Sequence, residues 1–193
     1  ARDRRVVVLR RAVNRGIEAS VRALYAQARH AWVFLNSADR QWPMSCLELM
    51  AAEVGGGADL VVGIRTGKRR LYSAYRFALS MVFEAAVRAL GSPVGDPGSI
   101  KLGRTALLSA PVAAHGVFAE GERLIRAARA GAAVRACPVP FQRRGAGRAR
   151  GARARVTATA ALDLLRVGAS LRLGWPAPAP PPADDAVELT AGR

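Results

Sequence analysis

Acidic residues are scarce in this chain. Asp and Glu together number 14 against 30 Lys and Arg, which leaves a formal net charge of +16. Lysine is scarcer still: Lys68 and Lys101 are the only two, so nearly all the positive charge is guanidinium. Such a surface attracts phosphates, nucleic acid or an acidic membrane face; an Ala/Arg/Gly-rich coding bias feeds the same count. Two cysteines, Cys46 and Cys137, lie far apart and match no ligand spacing. That argues against a disulfide framework and for a reducing compartment. Aromatic residues make up 6% of the chain, and none interleaves with the arginines after Gln142 as a base-stacking platform would. His30 and His115 have no Cys, Asp or Glu at metal-ligand spacing and read as structural. No apolar run approaches the roughly 18–20 residues of a membrane span. Nothing resembles a signal peptide, a P-loop, a dinucleotide fingerprint or a G-x-S-x-G nucleophile.

What remains is a sequence that can fold. At 51% hydrophobic over 193 residues it supports one domain with a real core. Val6-Val7-Val8-Leu9 reads as a buried strand. Asn14 is placed to cap a helix from near Gly16, with Ile17, Val21, Leu24, Tyr25 and Ala28 at helical spacing. Trp32–Leu35 reads as a second strand, Met44–Glu53 as a helix with Leu47, Met50 and Ala51 inward, and Asp59–Gly63 as a third strand after the stop Gly55-Gly56-Gly57. Strand, helix, strand, helix, strand with short connections predicts a parallel α/β sheet with right-handed crossovers.

The second half is less regular. Arg69–Leu90 reads as one long helix, buried on two sides or touching lipid or a partner subunit, with Arg69, Arg70 and Arg76 near its start. Ile100–Leu102 reads as a short strand. Gly121–Ala130 reads as a helix with Leu124, Ile125 and Ala128 inward, and Ala133–Val139 as an edge strand interrupted by Pro138. Gln142–Arg155 is a basic loop. Thr157–Leu173 is amphipathic, with Ala161, Leu164, Leu165, Gly168 and Leu171 on one side. The domain therefore runs over 1–173, and 174–193 reads as a proline-rich disordered tail.

The informative stretch is VFLNSADRQWP, Val33–Pro43. Its strand ends abruptly at Asn36-Ser37-Ala38-Asp39, and ligands of parallel sheets bind just past such strand ends. Asp39 is then a carboxylate where a metal or phosphate-bearing ligand sits, and Gln41 offers an amide oxygen to the same space. The competing explanation is an Asx-type turn that merely ends the strand.

The order of these pieces resembles family 2 glycosyltransferases of the GT-A fold, nearest the polyprenyl-phosphate group that includes dolichol-phosphate mannose synthase. Asn14-Arg15-Gly16 with Ala19 resembles the family's helix start. Phe34–Pro43 resembles its apolar strand followed by D-x-D-x-Q and a proline. Val61-Val62-Gly63-Ile64-Arg65 resembles V-V-x-G-x-R. Asp96 to Lys101 resembles D-x-x-S-x-x-K, one residue shorter. Glu122-Arg123-Leu124-Ile125 resembles the family's E-L-L helix, and Pro138-Val139 with Arg144 and Gly147 its P-V-x-x-x-x-R-x-x-G loop. Two departures stand out. Ser37 occupies the position of the family's first metal-motif aspartate, and a hydroxyl is a poorer ligand for a hard cation than a carboxylate. The family's opening strands, carrying P-x-x-N-E and D-D-G-S, have no counterpart here.

The resemblance implies a three-layer α/β/α sandwich with a mainly parallel sheet, incomplete at the N-terminus. It implies metal-assisted transfer of a sugar from a nucleotide-sugar donor to a polyprenyl phosphate or related acceptor. Asp39, Arg65 and Arg144 are the catalytic candidates; Ser37, Asp39, Gln41 and Arg65 the donor-site candidates; Asp39 and Gln41 the ligands of Mg²⁺ or Mn²⁺. A polyprenyl phosphate is already an anionic nucleophile, so the reaction needs positioning and neutralisation of the leaving diphosphate more than a base. The implied location is cytoplasmic, peripheral to an anionic membrane face, with no specific nucleic acid as partner. Two other readings compete: a non-catalytic remnant of the same fold, which Ser37 favours, and a basic nucleic-acid binder, which the charge invites.

Overall fold

The DLVVG run sits at the centre because its residues are apolar on both faces. In the computed structural model, which describes residue 3, residues 5–145 and 154–173, and the backbone of 187–191, this run opens β3 (Leu60–Thr66). Val61 enters one buried cluster with Leu102, Cys137 and Val139, while Leu60 and Val62 enter a second on the opposite face. Period-two alternation thus serves two cores.

The sheet is ordered β2 (Trp32–Leu35), β4 (Lys101–Arg104), β3, β5 (Val134–Pro140). β3 and β5 are parallel, from Leu60 opposite Val134 to Thr66 opposite Pro140. β4 runs antiparallel to both β2 and β3. Hence β2, β3 and β5 point the same way, as a parallel sheet predicts, but β4 inserts antiparallel between β2 and β3, and the sheet is mixed. One face is covered by α2 (Cys46–Gly55), whose Cys46 and Met50 are buried against Val61. The other is covered by α1 (Ile17–Ala26), α5 (Thr105–Leu108) and α6 (Ala119–Arg129), through Val21, Tyr25, Leu108 and Leu124. A third cluster joins α6 to α4 (Ala74–Ala89) and α7 (Ala154–Leu173) through Val87, Phe118, Ile125 and Val167. The fold is therefore the expected three-layer sandwich. Gly63 is required where it stands: a Cβ there would lie 2.7 Å from Ile100 Cγ1 and 2.9 Å from Val139 Cγ2. That close approach draws β3 against both neighbours just before Arg65.

Several local expectations change. Val6–Leu9 is not a core strand. β1 (Val7–Arg11) pairs antiparallel with β6 (Val187–Ala191), apart from the main sheet, and Val6, Val7 and Val8 are exposed. β6 falls within the stretch assigned to a tail; 174–186 lies outside the described residues. The helix expected over Arg69–Leu90 is two: α3 (Lys68–Leu71), then α4. Tyr72 is extended, and the Ser73 side chain caps α4 by accepting from Arg76 N. The basic loop ends by Ala154, where α7 begins, and 146–153 lies outside the described residues. On α7 the buried face is Ala160, Asp163, Val167 and Gly168, while Leu165 is exposed. Asp163 turns inward because its carboxylate accepts from His115 N and Gly116 N. Among the described residues no helix is long and apolar enough to cross a membrane.

Candidate functional site

The carboxyl ends of β2, β3 and β5 lie on one rim of the sheet, since Leu35 and Val62 both pair with Lys101. The turn after β2 is built by local polar bonds. Asn36 Oδ1 accepts from Ser37 N at 2.7 Å, and Asp39 Oδ1 accepts from Gln41 N at 3.2 Å, an Asx-type closure. Arg40 between them takes φ 59, in the left-handed region that non-glycine residues rarely occupy. Asp96, with φ 57, is the other such residue among those described, and it borders the same rim. Strained backbone of this kind concentrates at working sites.

The segment after β5 docks on this turn. Gln142 N donates to Gln41 O at 2.9 Å and Gly145 N to Asp39 O at 3.2 Å. Gln41 Nε2 donates to Gln142 O at 3.2 Å. The side chains then close the contact. Arg144 Nη2 lies 2.9 Å from Asp39 Oδ2 and 3.2 Å from Gln41 Oε1. Asp39, Gln41 and Arg144 are thus brought together, as the motif spacing predicts. Ser37 is exposed at the start of the turn, its Oγ a long 3.5 Å from Asp39 N.

Arg65 lies on the same rim but in a second neighbourhood. Its Nε is 2.8 Å from Asp96 Oδ1, its backbone N donates to Asp96 Oδ2 at 3.0 Å, and Nη1 reaches Tyr72 Oη. Burial by itself would raise the Asp96 carboxyl, but hydrogen bonds and charge from Arg65 outweigh it and hold the group below the usual carboxylate range. The Arg65 guanidinium is 5.3 Å from the Phe141 ring, and that ring is 5.1 Å from Trp42, directly after Gln41. Phe141 therefore stands between Arg65 and the Asp39 turn, and the two groups make no direct contact.

Arg65, Asp96 and Arg76 border a cavity of about 350 Å³ between α4 and α7, lined mainly by apolar side chains that include Leu79, Phe83 and Leu164. Arg76 lies over Tyr72, 3.8 Å from the ring centre. Sequence reasoning missed Tyr72, Phe141 and the pairing of Asp96 with Arg65. The one available signal was the spacing of Asp96 in its motif. Lys101, the other end of that motif, is fully buried. Its Nζ is 2.7 Å from Glu120 and donates to Pro97 O at 2.6 Å. Glu122 is buried too, accepting from Ala113 N and Ala114 N and pairing with Arg126.

With this geometry in place, comparison with known proteins is decisive at the family level. The model for glycosyl transferase family 2 matches residues 1–101, just over half of the chain. The chain belongs to glycosyl transferase family 2. Its architecture is shared with solved GT-A structures. Glucosyl-3-phosphoglycerate synthase from Mycobacterium tuberculosis, in complex with phosphoglyceric acid, superposes with a TM-score of 0.59 at 19% identity, over 76% of this chain and 52% of that one. The same enzyme with Mn²⁺, uridine-diphosphate-glucose and phosphoglyceric acid gives 0.57 at 22%, over 77% and 55%. This family 2 chain thus spans about half the length of those structures. No curated protein matches it.

A divalent cation accompanies the nucleotide in that second structure, so the Asp39 turn can be tested for fit. Two hard oxygens, one of them anionic, already converge on one cationic nitrogen. This is the donor chemistry Mg²⁺ or Mn²⁺ takes. Among the described residues no group of three or more His, Cys, Asp or Glu could hold a metal. Among the described residues of this family 2 chain, Asp39 and Gln41 would supply the side-chain donors at the turn, with further ligands left to phosphate oxygens and water.

Proposed function

We propose that this chain is the catalytic part of a glycosyltransferase that moves a sugar from a nucleoside-diphosphate sugar to a phosphate-bearing acceptor, a lipid phosphate of the polyprenyl type. The observation that carries the reading is the convergence of Asp39 Oδ2 and Gln41 Oε1 on a cation at the carboxyl ends of the strands. In this reading Asp39 and Gln41 hold Mg²⁺ or Mn²⁺, with Ser37 beside them. A metal bound there would neutralise the departing diphosphate. Arg144 adds a planar donor fork for phosphate oxygens on the same rim. Arg65, held in place by Asp96, presents its charge at the mouth of the cavity. Arg76 joins it there.

The acceptor assignment rests on that cavity. An apolar hollow bordered by guanidinium groups suits an amphiphile with an anionic head. Around it, Tyr75, Met81 and Val82 of α4 are exposed, and Arg69 and Arg70 of α3 precede them. Apolar side chains next to arginines suit the anionic face of a membrane, which supports a peripheral location on the cytoplasmic side. A second reading, a non-catalytic remnant with a failed donor site, draws on Ser37.

Thermal unfolding with UDP and Mn²⁺ separates the two. The catalytic reading expects a higher Tm with UDP plus Mn²⁺ than with either alone, and loss of that gain in Asp39→Ala. An unchanged Tm, or the same gain in the variant, sinks it. Turnover assays with undecaprenyl phosphate and with 3-phosphoglycerate as acceptors then decide between a lipid and a water-soluble phosphate.

A further inference from the structure

We infer that Arg144 occupies the cation position at the Asp39 turn and must withdraw before a divalent metal can be held there. This rests on the reading of Asp39 and Gln41 as metal ligands. A single nitrogen, Nη2, takes both oxygens, at 2.9 Å from Asp39 Oδ2 and 3.2 Å from Gln41 Oε1. The other carboxylate oxygen, Oδ1, is engaged by Gln41 N at 3.2 Å. While Arg144 is docked, both carboxylate oxygens are engaged, Oδ1 by a hydrogen bond and Oδ2 by an ion pair. Among the described residues, Ser37 stands where a second carboxylate would help, and there is no cluster of metal-binding side chains.

The docked segment is built so that the side chain can leave without it. Backbone bonds from Gln142 N to Gln41 O and from Gly145 N to Asp39 O fix the loop independently of the guanidinium. The Arg144 side chain is one-third exposed and opens onto solvent. A metal and the Arg144 guanidinium on one carboxylate oxygen would set two positive centres about 4 Å apart, and the repulsion weakens whichever binds second. Metal and Arg144 therefore compete, and the bare protein holds metal weakly. A diphosphate relieves the competition, since its oxygens accept the displaced guanidinium as well as the metal.

The test is Mn²⁺ binding without nucleotide, read from the electron paramagnetic resonance of free Mn²⁺, on the full chain. Arg144→Gln should bind Mn²⁺ about fivefold more tightly than the parent, the size expected for removing a partly exposed ion pair. Arg144→Lys, which keeps the charge, should not tighten binding. Adding Asp39→Asn to Arg144→Gln should abolish the gain. Asp39-dependent binding that Arg144→Gln leaves unchanged or weakens overturns the competition alone. Absence of any Asp39-dependent binding in either background overturns the metal-site reading, and the competition with it.

Discussion

Arg65 and Asp96 meet through side chain and main chain together: Nε lies 2.8 Å from Oδ1, and the backbone N of Arg65 3.0 Å from Oδ2. Their side chains are 11% and 1% exposed, so neither charge is solvated if the other is removed. Asp96→Ala should lower the unfolding free energy by about 3–5 kcal/mol, the cost typical of breaking a buried pair. Urea denaturation measures it. The double variant Arg65→Met with Asp96→Ala should recover part of the loss, because no buried charge is left unpaired. The pH dependence has a definite sign. The folded Asp96 value lies below 3.8, so its contribution is fully present above that and is lost as the pH falls through the depressed folded value.

Lys101 carries a comparable load on the other side of β4. It is fully buried, bonded to Glu120 at 2.7 Å and to Pro97 O at 2.6 Å. Lys101→Met keeps the apolar stem and removes the charge. Glu120 would then rely on Arg123, 3.0 Å away, and on Tyr25. A loss of about 3 kcal/mol is expected in chemical denaturation. A loss below about 0.5 kcal/mol would mean that water replaces the ammonium.

Glu18 should behave in the opposite way. Burial raises its carboxyl above the ordinary 4.5, against the lowering charges of Arg123 and Arg22, and its Oε2 has no hydrogen-bond partner. A raised folded value means that stability is fullest below the unfolded value and declines as the pH climbs through the folded one. Glu18→Gln should therefore raise Tm at pH 8 and leave it unchanged near pH 4. Equal shifts at both pH values would contradict this.

Filling the cavity tests the acceptor assignment. Ala161 lines it from α7, and Ala161→Trp would occupy much of its volume. Turnover with undecaprenyl phosphate should fall at least tenfold, while the thermal shift from UDP and Mn²⁺ stays as in the parent. Unchanged turnover would place the lipid elsewhere.

The sequence discloses the parts of this fold where one physical signal dominates. DLVVG is apolar on both faces and can only be central. Pro138 marks an edge, and β5 is one. Motif order groups Asp39, Gln41 and Arg144, and they meet in space. Local pattern failed where distant partners decide. Val6–Leu9 looks like core, yet its edge is met by residues about 180 positions later. Asp163 is buried on α7 because two backbone amides from the 115–116 turn need an acceptor, which no helical periodicity reveals. Lys101 is buried because Glu120, Pro97 O and Ser99 O receive its ammonium, partners that no local pattern reveals.

The sheet order gives the Asp39–Arg144 contact a mechanical meaning. The two residues hang from β2 and β5, the outermost strands, separated by β4 and β3. Three strand spacings of about 4.8 Å put those strands roughly 14 Å apart. Their loops nevertheless close over the rim like a clasp. Any change in sheet twist or width, such as a side chain added at Gly63, would be felt there as tension. A substitution deep in the hydrophobic interior should therefore shift the Asp39–Arg144 pair without touching either residue.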